Sequence, residues 1–128
     1  MQKTLAALAL FLWIAGAFSL FAQNAGTKEL TYEELTALIA SKTEKAILID
    51  ARAPEEFKPG AIPGAINIPY DTIEKNLPTQ DRAAKIVVYC RSGNRSSIAK
   101  ATLEKLGFTN VINFGAVSKW RGQLIIRQ

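Results

Sequence analysis

Ile86-Val87-Val88-Tyr89-Cys90-Arg91-Ser92-Gly93-Asn94-Arg95-Ser96-Ser97 is the stretch from which the fold can be read. Its first four residues are β-branched or aromatic without a break, the composition of a strand buried on both faces, and such strands belong to parallel sheets covered by helices. The strand delivers Cys90 at its C-terminal end. Arg91 to Arg95 cannot extend it and predict a tight loop, with Gly93 letting the backbone curl close to the sulfur. Ser96 or Ser97 then caps a helix whose apolar positions Ile98, Ala101, Leu103 and Leu106 face the sheet and which Gly107 closes.

The same alternation extends in both directions. Ala46-Ile47-Leu48-Ile49 is a second continuous apolar run, ending in Asp50, and Ala65-Ile66-Asn67-Ile68 is a third, stopped by Pro69. Val111-Ile112-Asn113-Phe114 is a fourth, followed by Gly115 and a helical stretch containing Val117 and Trp120. Thr31-Tyr32-Glu33-Glu34 places a hydroxyl three residues before a carboxylate, a capping box that opens a helix over about 31 to 41. Pro54-Glu55-Glu56-Phe57 predicts a helical turn with proline near its start, and Asp71 to Asn76 a further short helix. Strands alternating with helices at this spacing define an α/β fold with an open, mostly parallel sheet.

Composition removes whole classes of chemistry. The chain has 128 residues, a formal charge of +5, one cysteine and no histidine. There is no imidazole base to pair with a serine or cysteine nucleophile, no His-ligated zinc, no internal disulfide and no CxxC redox pair. Nothing calls for a metal or an organic cofactor, and the modest positive charge gives no warrant for a nucleic-acid partner. It does suit the attraction of small anions. Residues 1–22 have the marks of a secretory signal peptide: Lys3 near the start, an apolar run from Leu5 to Ala22, and small residues at its end, with cleavage after Ser19 or, preferred, after Ala22. That leaves 23–128 as a single domain, exported and periplasmic, with only transient membrane targeting. An uncleaved anchor is the weaker alternative, because Gly16 and Ser19 interrupt the run and no basic cluster follows it.

The chemistry gathers at one strand end. In open α/β sheets ligands bind where strands end and helices begin, and Cys90 stands at such a junction. The N–H groups of a loop running into a helix, aided by Arg91 and Arg95, would favour thiolate over thiol. A nucleophile activated in this way needs no histidine.

Four ordered segments, Ile47 to Arg52, Pro54 to Phe57, Gly60 to Pro69 and Tyr89 to Ser96, resemble the rhodanese family of sulfurtransferases, above all its exported, single-domain, thiosulfate-using members. The similarity covers about Lys28 to Trp120. It implies a rhodanese-like open parallel sheet of five strands flanked by helices, and a Cys90 persulfide that carries sulfur from thiosulfate to cyanide, a thiol or an accepting partner protein. Arg91, Ser92, Gly93, Asn94, Arg95 and Ser96 are then the donor-binding loop, with Asp50 and Arg52 bracing it. Ala61 stands where the family usually has histidine and Ala116 where glycine is common. Neither belongs to the reactive loop.

Two other functions compete. A phosphatase or arsenate reductase of related fold needs a roomier anion loop with arginine six residues after the cysteine; here Arg95 is five after and position six is Ser96. A non-catalytic sulfur carrier or binding module would share Cys90 and differ only in turnover.

Overall fold

A computed structural model describes residues 29–128; the leader read at 1–22 lies outside them. The elements run α1 (Tyr32–Ala40), β1 (Ile47–Asp50), α2 (Pro54–Phe57), β2 (Ile66–Asn67), β3 (Ile86–Cys90), α3 (Asn94–Lys105) and β4 (Val111–Ala116), then a 3-10 turn over Val117–Lys119. The sheet has the order β2-β1-β3-β4 and every pairing in it is parallel. Among the described residues no helix is long and apolar enough to cross a membrane.

Each strand falls on a predicted apolar run; the central strands β1 and β3 lie buried between two helical layers, whereas the edge strand β2 is short and leaves Ile66 exposed. Period-two alternation then sorts β3. Ile86, Val88 and Cys90 join Ile49, Ala99, Leu103 and Phe108 in one core, while Val87 and Tyr89 join Leu35, Leu48, Ile62 and Phe114 in the other. Phe57 and Trp120 are partly buried against this second core. Cys90 therefore faces α3, and Tyr89 faces the opposite layer.

Helix α1 opens with the expected capping box: Thr31 Oγ1 accepts from Glu34 N–H at 3.1 Å and Thr31 N–H donates to Glu34 Oε2 at 2.9 Å. Pro54 occupies the first turn of α2, where its missing N–H costs nothing. Gly107 follows α3 at φ +96°, a left-handed conformation that ends the helix cheaply.

Four expectations are corrected. The sheet has four strands among the described residues, not five. The remaining apolar run, Leu124-Ile125-Ile126, makes one isolated antiparallel bridge, Ile125 with Ala61, and Glu29 and Leu30 are tied to Lys119, whose Nζ donates to Glu29 Oε2, Leu30 O and Phe114 O of β4. Asp71 to Asn76 forms successive turns rather than a helix, closed by Thr72 N–H to Pro69 O and Lys75 N–H to Thr72 O. Helix α3 begins three or four residues earlier than a cap at Ser96 or Ser97 would place it, with Gly93 as N-cap at φ +96°. This earlier start turns the helix, so Ser96, Ala99 and Leu103 face inward while Ile98 and Ala101 point outward.

One irregularity shapes the site. Val88 pairs with Asn113 but Tyr89 with Gly115, so Phe114 is an extra residue in β4, a bulge beside the end of β3. Gly115 has φ +94°, and its backbone lies so close to Gly93 that a Cβ on Gly93 would sit 3.4 Å from Gly115 Cα. Both glycines adopt a left-handed conformation where the loop after Cys90 meets β4, and a Cβ on Gly115 would crowd Glu29 at 3.2 Å.

Candidate active site

Cys90 and Asp50 end neighbouring central strands, at the carboxyl edge where the chain runs to β2 on one side and to β4 on the other. This is the crevice position expected of an α/β site. The thiol is 0% exposed. Such burial pushes a thiol toward its neutral form, and it is the strongest single influence here. Hydrogen bonds from the Ser96 hydroxyl and from the N–H groups of Ser96, Gly93 and Ser92 outweigh it, so the Cys90 pKa lies below its ordinary value of 9.0. The Gly93 N–H donates directly to Sγ at 3.0 Å. Ser96 Oγ also reaches Gly93 O, at 3.0 Å. A hydroxyl has one proton, so it serves either the carbonyl or the sulfur at a given instant.

The loop is braced from behind. Ser97 Oγ donates to Gly93 O at 2.9 Å and accepts from Asn113 Nδ2 at 3.0 Å, and Asn113 Oδ1 accepts from Gly115 N–H at 2.9 Å. The bulge, both glycines and the first turn of α3 thus form one hydrogen-bonded unit.

Of the loop residues expected from the sequence, Ser92, Gly93 and Ser96 gather at the sulfur. Arg91 is exposed and its side chain has no partner among the described residues. Asn94 is exposed and serves as the first residue of α3. Arg95 is tied to α2: its Nη1 and Nη2 donate to Glu56 Oε1 and Oε2 at 2.7 and 2.9 Å. Each partner strengthens the other's charge, Glu56 being held below the usual carboxylate pKa chiefly by its hydrogen bond from Arg95. Beside this pair runs an open groove of about 370 Å³, lined by Ala51, Pro54, Tyr70, Arg95 and, as a carboxylate, Asp71 among others.

Asp50 and Arg52 lie on the other face of the sheet. Arg52 Nε donates to both Asp50 oxygens at 3.0 Å, and its Nη2 bonds Asp50 Oδ2 and Gly60 O, each at 2.7 Å. Tyr89 shares this network, its hydroxyl accepting from Ile62 N–H at 3.1 Å; burial and the Asp50 charge push its pKa up. The pair's direct grip is on Gly60, it meets the 60–62 segment again through Tyr89, the residue before Cys90, and the charges of Asp50 and Arg52 also act on Arg95 and Glu56. Asn67 closes the assembly by donating to Asp50 O and Arg52 O at 3.0 and 2.9 Å. Tyr89, Asn67 and Glu56 are the site residues that sequence reasoning missed. Each lies in one of the segments that carry the family resemblance, Glu56 in Pro54 to Phe57, Asn67 in Gly60 to Pro69 and Tyr89 at the start of Tyr89 to Ser96, and that was the signal available.

A buried thiol that accepts from loop amides at the carboxyl end of a parallel sheet defines an α/β protein built around an acidified thiol. Comparison with known proteins narrows the class: residues 31–123 match the rhodanese-like domain, and the chain belongs to that family. It is 36% identical over 93 residues to a sulfurtransferase of Allochromatium vinosum, covering 72% of this chain and 86% of that one. It is 32% identical over 111 residues to the human thiosulfate:glutathione sulfurtransferase, covering 75% and 95%. Among solved structures, a rhodanese-like domain protein from Staphylococcus aureus superposes with a TM-score of 0.68 at 30% identity, over 79% of this chain and 99% of that one. The chain is a rhodanese-type sulfurtransferase.

Proposed function

We propose that the protein takes sulfane sulfur from thiosulfate and passes it to a thiophilic acceptor through a persulfide on Cys90. The Cys90 thiolate attacks the outer sulfur of thiosulfate. A new S–S bond forms to Cys90, the S–S bond of the donor breaks, and sulfite leaves with its electron pair. Cyanide, a cellular thiol or a partner protein then attacks the outer persulfide sulfur and regenerates the thiolate. The reaction is divided into two exchanges, each governed by the nucleophile and by the basicity of the leaving group. The N–H groups of Ser92, Gly93 and Ser96 hold the charge on sulfur, while Arg91 and Arg95 attract the dianion. Residues 1–22 direct export, which places this chemistry in the periplasm.

One observation supports the reading above all: a buried thiol at the carboxyl end of β3 that accepts the Gly93 N–H at 3.0 Å. The test is intact mass. After incubation with thiosulfate the protein gains one sulfur, about 32 Da, as expected of a covalent intermediate. Cyanide removes that mass as thiocyanate, and Cys90→Ser gains nothing. A wild type that turns over without gaining mass overturns the mechanism; one that gains sulfur but never turns over is a carrier.

A further inference from the structure

The Arg95 guanidinium is not available in full to a donor, because two of its five N–H groups already point at Glu56. The bond pattern is end-on, with Nη1 to one carboxylate oxygen and Nη2 to the other. It leaves Nε–H and one N–H on each terminal nitrogen without partners among the described residues. The fork is therefore turned by Glu56, with three donors left over, at the edge of the groove that Arg95 lines. Glu56 itself is fixed by a short helix rather than a loop: its N–H donates to Ala53 O at 3.0 Å, and Pro54 sets the backbone of the first turn. Arg95 lies in the first turn of α3, beside the reactive loop, and its charge interacts with Cys90.

We propose that Glu56 is a positioning residue for sulfur transfer, holding the Arg95 fork so that its free edge meets the charged sulfonyl end of the donor. The inference rests on the reading of thiosulfate as donor and adds to it a second carboxylate-bearing element, α2, that sets donor affinity. A long arginine freed of its partner spreads over many rotamers and must be ordered again each time an anion binds. Loss of the Glu56 charge also leaves Arg95 unneutralised, which by itself favours an anion. The two effects act on KM with opposite sign, so measurement separates positioning from competition.

The experiment is steady-state turnover of thiosulfate by four proteins: wild type, Glu56→Gln, Arg95→Ala and the double variant, with thermal melts of each. Positioning predicts that Glu56→Gln raises KM for thiosulfate about fivefold with kcat little changed, and that the same change has no further effect once Arg95 is alanine. Glu56→Asp, which restores a carboxylate one methylene shorter, recovers part of the loss. A KM that falls shows Glu56 competing with the donor for Arg95 and overturns the proposal. So does an unchanged KM, or an effect of equal size in the Arg95→Ala background. If wild type fails to take up sulfur from thiosulfate at all, the donor assignment falls, and with it this role for Glu56; if wild type loads sulfur and only the Glu56 prediction fails, the donor assignment stands.

Discussion

Replacing Ser96 by alanine removes the hydroxyl that does most, among the hydrogen-bond donors, to stabilise the Cys90 thiolate, while leaving the Ser96 backbone N–H in place. The side chain is 0% exposed, so no water takes over the role at once. A hydrogen bond to a charged group contributes about 1.5–3 kcal/mol. The lower end applies, since the same proton also serves Gly93 O. About 1.4 kcal/mol corresponds to a tenfold change in an ionisation constant. Ser96→Ala should therefore make the thiol about tenfold less acidic, with a higher titration midpoint. Cys90 is the only cysteine in the chain, so thiolate absorbance in the ultraviolet reports this group alone. Below the midpoint, kcat/KM for thiosulfate should fall by the same factor, because only the ionised fraction attacks. An unchanged midpoint in a variant that still folds would mean that the proton resides on the Gly93 carbonyl and that the backbone amides alone hold the charge.

Gly93→Ala imposes a side chain on a residue at φ +96°, where a Cβ lies 3.4 Å from Gly115 Cα; the left-handed conformation alone costs about 1–2 kcal/mol, read as a lower denaturant midpoint, and the displaced N–H should raise the thiol midpoint as well. Asp50→Asn leaves the buried Arg52 guanidinium without its counter-charge and should destabilise by about 3–5 kcal/mol in chemical unfolding. The thiol also links stability to pH. Its pKa is lower folded than unfolded, so ionisation favours the fold: the contribution is complete above about pH 9, where the unfolded thiol also ionises, and is lost as pH falls through the folded pKa. The stability difference between wild type and Cys90→Ala should grow with pH over that window, and a difference that stays flat would show that the thiol is not acidified by folding.

The strands were legible because each is a run of apolar residues bounded by turn formers, and the β3 run could hardly be anything else. The α1 cap and Gly107 were legible because their chemistry is local: a hydroxyl three residues before a carboxylate, a glycine just past a helix. What sequence could not supply was contact between distant segments. Glu56 meets Arg95 across 39 positions, and Tyr89 meets Ile62 across 27. Helix α3 was misplaced for a related reason. Two adjacent serines look like caps when read locally, yet the helix starts at Asn94 with Gly93 as its N-cap, packed against Gly115 beside the bulge in β4. The serine hydroxyls are left to bond back to the Gly93 carbonyl.

The absence of histidine, which first limited the possible chemistry, also fits the site that was found. An imidazole beside a cysteine is useful when a proton must move during reaction, as in acyl transfer. On the proposed pathway no proton moves in the loading step: thiolate and thiosulfate become persulfide and sulfite, anions on both sides. Such a reaction asks of the protein only that the sulfur be ionised beforehand and that its charge be held as it shifts outward by one atom. Fixed backbone dipoles meet that demand better than a titrating side chain, because their strength does not change with pH and they need no reorganisation as charge moves. Burial, the largest influence against the thiolate, serves the same end, since in a medium of low polarity each of those N–H groups interacts more strongly with the charge. The opposition between desolvation and hydrogen bonding at Cys90 is thus how a site without an imidazole can keep a reactive sulfur.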